Sequence, residues 1–275
     1  MPKLSIITIN YNNLLGLQKT VFSVVNQTYK DFEYIVIDGG SLDGSEEFLK
    51  NQNSNIDYWI SEPDKGVYNA MNKGIKKAKG EYLLFLNSGD HFSGLDVLKE
   101  NYNYLKNYDL VSFDLELIGD GGKRIFSSPY NLRFYDLYKH TLPHPATFIK
   151  KELFEKIGLY DEKLKIVSDW KFFIIALFKY NSSYLKIKET IAVFYLNGIS
   201  SKVDFSSERE QVLEEYFKEF LLDYKELDEN RIYTNNRFAM LKEIEKSRLG
   251  KKLVSLFFRL FIVLFSKKKL KDILK

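Results

Sequence analysis

The 275-residue sequence has no cysteine, only 5 prolines and 3 histidines, and no apolar run long enough to cross a bilayer. Without cysteine the chain has no disulfide staple, no thiolate nucleophile and no cysteine-based zinc site, a composition suited to a reducing compartment. The opening MPKLSIITINYNN sets only six apolar or small residues before polar ones intervene. That is too short for the central segment of a secretory signal, so a cytoplasmic chain is expected. The longest apolar stretch, LVSLFFRLFIVLF at 253 to 265, is 13 residues interrupted by Arg259. A spanning helix needs about 20.

What is present is a globular composition, 45% hydrophobic and 28% charged, enough to bury a sizeable core in one large domain, alone or with an appendage. The net charge of +4 conceals an asymmetry. Residues 246 to 275 hold ten Lys or Arg against the single acid Asp272, or +9, so the remaining 245 residues sum to −5 (4 − 9). A basic tail on an acidic body argues against a basic nucleic-acid groove and for a local anionic partner such as a membrane surface.

The first hundred residues alternate between two periodicities. Leu4 to Ile9, Tyr34 to Ile37 and Tyr82 to Leu86 are short apolar runs that suit buried parallel strands. Leu14, Leu17, Val21, Val24 and Val25 share one helical face, as do Val67, Ala70, Met71, Gly74, Ile75 and Ala78, with Gly80 as the expected helix end. This predicts an α/β fold, a doubly wound, mainly parallel sheet with helices on both faces. Residues 93 to 143 are less regular, with a turn at Gly119 to Gly122. Beyond them, Ala146 to Ile149 predicts a strand, Glu152 to Ile157 a helix ended by Gly158, Asp169 the start of an apolar helix, and 207 to 250 amphipathic helix. The expected division is 1–205 for the sheet domain and 206–275 for a helical C-terminal region.

Doubly wound sheets bind ligands outside the carboxyl ends of their strands. Three acid- or amide-rich loops stand there: Asn10 to Asn13, Asp38 to Gly44, and Asn87 to His91. The Asp38-Gly-Gly-Ser-x-Asp-Gly loop admits two readings, a carboxylate bonding a base or ribose with glycines that let backbone approach it, or a turn with a helix cap. Asp64, Lys65 and Gly66 precede a helix whose N-terminus and lysine favour anionic oxygens, or form a simple capped start. Asn72 reads either as a ligand contact or as a solvated residue. Asp90, at the end of NSGD, is a hard oxygen donor of the kind magnesium and manganese prefer, or a strand-ending turn. His144 reads as a ligand contact, as a group ordering the acceptor loop, or as a structural histidine.

In their linear order LSIITINYNN, VFSVVNQTYKDFEYIVIDGGSLDGS, EPDKGVYNAMNKGIKKAKGEYLLFLNSGD and HPATFIKKELFEKIGLYDEKLKIVSDWKFF, over roughly residues 3 to 200, resemble the family 2 inverting glycosyltransferases of the GT-A fold, especially bacterial members that build surface polysaccharides on lipid carriers. The resemblance implies a nucleotide-sugar donor, most commonly a UDP-sugar, and a lipid-linked or growing saccharide acceptor. It implies Tyr11 stacked near the base, Asp38 bonded to it and Asp169 as catalytic base; Lys65, Asn72, Ser88 and His144 are the further expected donor contacts. The family's acid, any residue, acid triplet lies over Asn87, Ser88 and Gly89, so both acids are missing. Asp90 follows as the implied ligand of Mn2+ or Mg2+. An arginine common in the preceding helix is replaced by Met71, with Lys65 as the available substitute.

On a helical wheel Lys252, Ser255 and Arg259 form a narrow polar stripe on the 253 to 265 stretch, followed by Lys267 to Lys269. The pattern fits an amphipathic helix at a membrane interface, hence a peripheral protein on the inner face, and also a terminal helix packed on the domain. Two other classes compete with the enzyme reading. A nucleotidyltransferase or dinucleotide enzyme is disfavoured because neither GxGxxG nor GxxxxGK[ST] follows a strand. A non-catalytic nucleotide-binding membrane module would follow from loss of the metal acids.

Overall fold

Strands β1 (Leu4–Asn10) and β2 (Glu33–Asp38) are buried at every residue, which is why they read as continuous apolar runs rather than alternating ones. A computed structural model describes residues 2–196, 198, 205–232 and 236–265. With β3 (Tyr58–Ser61) and β4 (Tyr82–Phe85) they form the parallel half of a mixed sheet, in the order β3-β2-β1-β4. Helix α1 (Leu14–Val25) sets Leu17, Val21 and Val24 against Leu4, Ile6 and Val36 on one face. Helix α3 (Val67–Lys77) covers the other, where Gly74 lies against Ile7, a position at which a Cβ would meet that side chain at 2.6 Å. The short α2 (Ser45–Asn51) adds Leu49 to the first core.

The second half adds antiparallel pairings. It comprises β5 (His91–Phe92), α4 (Val97–Asn101), β6 (Leu110–Gly119), β7 (Gly122–Phe126), α5 (Phe134–Lys139), β8 (Thr147–Lys150), α6 (Glu152–Ile157), α7 (Ser168–Phe178) and β9 (Tyr184–Tyr195). β8 runs antiparallel to both β4 and β6, so β6 again points the way of β4. The order continues β8-β6-β9-β5, with β7 hairpinned onto β6 around the Gly119 to Gly122 turn. Phe85, Phe154, Phe172 and Phe173 interlock α6 and α7 on the α3 face, with Phe154 and Phe172 stacked at 4.3 Å.

Gly80 has a different role from the expected helix end. α3 stops at Lys77, and a Cβ on Gly80 would stand 2.4 Å from the Ser5 nitrogen, so glycine permits the close approach of the chain to β1.

The chain divides into two units, Met1–Tyr216 and Phe217–Lys275. Helix α8 (Ser206–Ile232) begins in the first, with non-helical dihedrals at Phe217, so the division falls later in the chain than the expected 205/206. The second unit contains α9 (Asn236–Ile244) and α10 (Arg248–Phe265). No residue of α10 is buried, and among the described residues no helix is long and apolar enough to cross a membrane. Lys267 to Lys269 lie outside the described residues.

Candidate functional site

At the carboxyl ends of β1 and β2 the polar side chains are committed to one another. Asp38, fully buried, accepts from Asn10 Nδ2 at 2.7 Å and Ser41 Oγ at 2.6 Å through Oδ1, and from the Ser41 amide at 2.9 Å and Ser61 Oγ at 2.6 Å through Oδ2. A carboxylate so occupied has little capacity left for a base. In this arrangement Asp38 braces the loop to which the base contact was expected to belong. Gly40 adopts φ +76°, and Gly39 packs against Tyr11 and Asp64, so the glycines admit close approach of neighbouring chain. Tyr11 itself is 68% exposed above them, free to offer a ring face. Lys65 is also exposed, at the approach to α3, and Asp64 is ion-paired with Lys73.

The NSGD turn is held from below by α1. Thr20 Oγ1 donates to the Asp90 carbonyl at 2.6 Å and accepts from the Gly89 amide at 3.0 Å, while Ser88 Oγ donates to the Asn13 carbonyl at 3.1 Å. Gly89 takes φ +110°, a backbone region costly for the aspartate that the family pattern puts there. Asp90 is 5% exposed, and its Oδ2 is buried without a hydrogen-bond partner, as is Asn87 Oδ1. Burial pushes the Asp90 carboxyl up to about 8, opposed only by a main-chain hydrogen bond from Asn87. Among the described residues no group of three or more His, Cys, Asp or Glu forms a metal cage. One carboxylate and one amide oxygen, both hard, buried and unpartnered, nevertheless fit a divalent ion whose other positions are taken by phosphate and water.

On the other side stands Asp169, partly exposed in the first turn of α7. Its Oδ1 accepts from the Tyr68 hydroxyl at 3.0 Å, and that hydroxyl also contacts the Ile166 carbonyl. Burial, then the negative charge of Asp169, hold the Tyr68 phenol well above its usual range, so it remains a donor. Ser168 Oγ accepts from the Asp161 amide at 2.6 Å, and Lys171 pairs with Asp161 at 2.8 Å, bracing the turn that precedes α7.

Two further candidates, Asn72 and His144, are held within the fold. Asn72 is 2% exposed and donates to the Tyr160 carbonyl and to Glu162 Oε1, both at 2.9 Å, while accepting from the Tyr160 amide at 3.0 Å. It clamps the 160–162 loop, because a buried carboxamide must find its partners in the protein. His144 is 8% exposed, stacked on Phe85 at 4.8 Å and paired through Nε2 with the Tyr160 hydroxyl at 2.9 Å. Burial lowers its pKa, keeping it neutral inside the aromatic cluster. Sequence reasoning missed Tyr68, whose position inside the buried face of α3 reads as core. It also missed Lys19 and Tyr195, which pair next to His91. A cavity of about 500 Å³, lined in part by Glu33, Tyr58 and Lys77, lies at the opposite edge, where β2 and β3 begin.

Residues 5–158 match the family model described as Glycosyl transferase family 2. An uncharacterized glycosyltransferase of Mycobacterium tuberculosis is 42% identical over 183 residues, covering 64% of this chain and 69% of that protein. A PGL/p-HBAD biosynthesis glycosyltransferase of Mycobacterium bovis is 30% identical over 177 residues, covering 62% and 68%. Among solved structures, residues 1–349 of S. aureus TarS in complex with UDP-GlcNAc match with TM-score 0.63 and 16% identity over 98% of this chain and 77% of that one. The mannosyltransferase PcManGT from Pyrobaculum calidifontis, in complex with GDP-Man and Mn2+, gives 0.55 and 13% over 97% and 88%. At such identities the structural likeness is one of fold.

Proposed function

The chain belongs to glycosyl transferase family 2, and from that premise we propose that it moves a hexosyl or N-acetylhexosaminyl unit, with inversion, from a UDP-sugar to a lipid-linked or growing saccharide in surface-polysaccharide biosynthesis. The observation that carries the reading is the pair of unlike carboxylates: Asp169, partly exposed and oriented by Tyr68, and Asp90, buried with an unpartnered oxygen. One suits proton transfer and the other a cation. Neighbours holding UDP-GlcNAc and GDP-Man fit a nucleotide-sugar donor.

In this reading Asp169 takes the proton of an acceptor hydroxyl as its oxygen bonds to the anomeric carbon, and the electron pair of the breaking bond leaves with the diphosphate on the opposite face. Tyr68 keeps the carboxylate aimed, Tyr11 offers a platform for the base, and Lys65 with the N-terminus of α3 attracts the diphosphate. Asp90 and Asn87 would hold Mn2+ or Mg2+, which when bound offsets charge on the leaving group. Ser88 remains beside them as a donor contact.

The exposed apolar face of α10, including Leu256, Phe257 and Leu260, with the stripe of Lys252, Ser255 and Arg259, fits helix insertion into an anionic interface. That reading makes the protein peripheral on the cytoplasmic face of the cell membrane, where a lipid-linked acceptor is accessible. Deleting residues 251–275 is expected to release it from anionic liposomes; undiminished binding would defeat the membrane reading.

The test of the catalytic reading is calorimetric titration with a panel of nucleoside diphosphates and nucleotide sugars, with Mn2+ and with chelator, on wild type and Asp90→Ala. The expected result is metal-dependent binding of one nucleotide, weakened about tenfold or more by the substitution. Binding indifferent to both metal and Asp90, with no turnover, would instead favour a nucleotide-binding module, a reading motivated by the missing acids at Asn87 and Gly89.

A further inference from the structure

The structure assigns Glu208 and Arg209, in the first turn of α8, a positioning role in the transfer step: together they clasp the turn that carries Asp169. The inference rests on the reading of Asp169 as base and deepens it.

Helix α7 begins without a cap of its own. Val167 occupies the N-cap position and supplies no side-chain acceptor, although the main-chain amides at a helix start need one. Glu208, from a distant element, instead holds the turn that leads into the helix. Its Oε1 accepts from the Lys165 amide at 2.8 Å, and its Oε2 accepts from the amides of Ile166 at 3.1 Å and Val167 at 3.4 Å. A carboxylate receiving three main-chain amides is a strong clamp, because each bond is charge-assisted. The same turn presents the Ile166 carbonyl to Tyr68, so Glu208 and Tyr68 hold it from two directions.

Arg209 grips the other side. Its guanidinium donates to the carbonyls of Lys139 at 3.2 Å and His140 at 2.9 Å, where α5 ends, and lies 4.6 Å from the centre of the Trp170 ring. Trp170 adjoins Asp169 in sequence, is 2% exposed, and donates through Nε1 to the Leu137 carbonyl at 2.7 Å. Arginine, α5 and tryptophan thus form a closed circuit beside the proposed base. Burial lowers the Arg209 pKa to about 10, opposed by the charge of Asp169, so the guanidinium stays cationic near neutrality. Neither residue stands within the family match at 5–158, and neither lies in the expected catalytic domain of 1–205.

The test compares full-length Glu208→Ala, Glu208→Gln, Arg209→Ala and Arg209→Lys with wild type and with Asp169→Asn. It measures kcat, donor KM, nucleotide affinity by calorimetry, thermal midpoint, and amide hydrogen exchange over 165–171. The expected result is a 10- to 100-fold fall in kcat for each alanine variant with donor KM and nucleotide affinity within twofold. Glu208→Gln and Arg209→Lys recover part of the loss, and exchange at 165–167 quickens in Glu208→Ala while the rest of the sheet domain is unchanged. Alanine variants with kcat within threefold of wild type overturn the proposal, whatever the exchange shows. So does a parallel loss of kcat, nucleotide affinity and folded fraction, which would mark the residues as merely structural. If Asp169→Asn retains wild-type kcat, the base assignment fails and takes the inference with it; if Asp169→Asn is inactive while the alanine variants are normal, only the clasp is overturned.

Discussion

The two sides of the site are built by opposite strategies. On the proposed donor side, Asn10, Asp38, Ser41 and Ser45 are linked by side-chain hydrogen bonds at the ends of β1 and β2 and the start of α2, and the turn at Asn87 to Asp90 rests on α1. What remains unpartnered there is oxygen: Asn10 Oδ1, Asn87 Oδ1 and Asp90 Oδ2. On the base side, Asp169 is held by residues far apart in sequence, Tyr68 at its carboxylate and Glu208 at the turn before it. In the proposed reading the donor side is a frame with spare acceptors for a cation, and the base side is one acid kept in register by a distributed scaffold.

The comparison breaks most decisively at Asp169. Asp169→Asn is expected to lower transfer by about 10³-fold, within the range of general-base contributions, with nucleotide affinity nearly intact by calorimetry. A variant retaining most of its activity would remove the base from this side altogether.

The next largest effect concerns the donor side and pH. Asp90 has a folded pKa raised from 3.8 to about 8, so folding favours its protonated form. The stabilising contribution is complete below the unfolded value and is lost as pH rises through the folded one. Metal-free wild type should lose stability between about pH 4 and 8, at up to about 1.4 kcal/mol per unit. Asp90→Asn should flatten that slope, and Mn2+ should raise the melting midpoint of wild type chiefly near pH 8. A wild type and an Asn variant whose midpoints run parallel across this range, with or without Mn2+, would mean that Asp90 is neither strained nor a cation ligand.

The smallest effect sharpens the contrast. Tyr68→Phe removes the hydroxyl that bonds both Asp169 and the Ile166 carbonyl; at about 1 kcal/mol per hydrogen bond it should lower kcat about five- to tenfold while leaving donor KM and nucleotide affinity unchanged. A change in donor KM instead would join Tyr68 to the donor frame and blur the division.

Much of the donor half was legible in the sequence. The runs at 4 to 9, 34 to 37 and 82 to 86 became buried parallel strands because a sheet covered on both faces selects uninterrupted apolar residues. The helix at Glu152–Ile157 and the one opening at Ser168 followed from the same periodicity. The second half of the sheet was harder. β6 and β9 mix apolar residues with the buried pair Asp114 and Lys186, so no clean period announces them. Individual roles were harder still. Asp38, Asn72 and His144 have the residue types of ligand contacts, yet each is occupied by partners from elsewhere in the fold.

By itself the sequence determined the strand and helix alternation, the edge where the loops gather, the family, and the amphipathic tail, because periodicity and local motifs act over a few residues. Only the tertiary structure decided which polar atoms are satisfied and which are left over. Hydrogen-bond saturation depends on residues such as Tyr68, Asp169 and Glu208, which are brought together from separate parts of the chain.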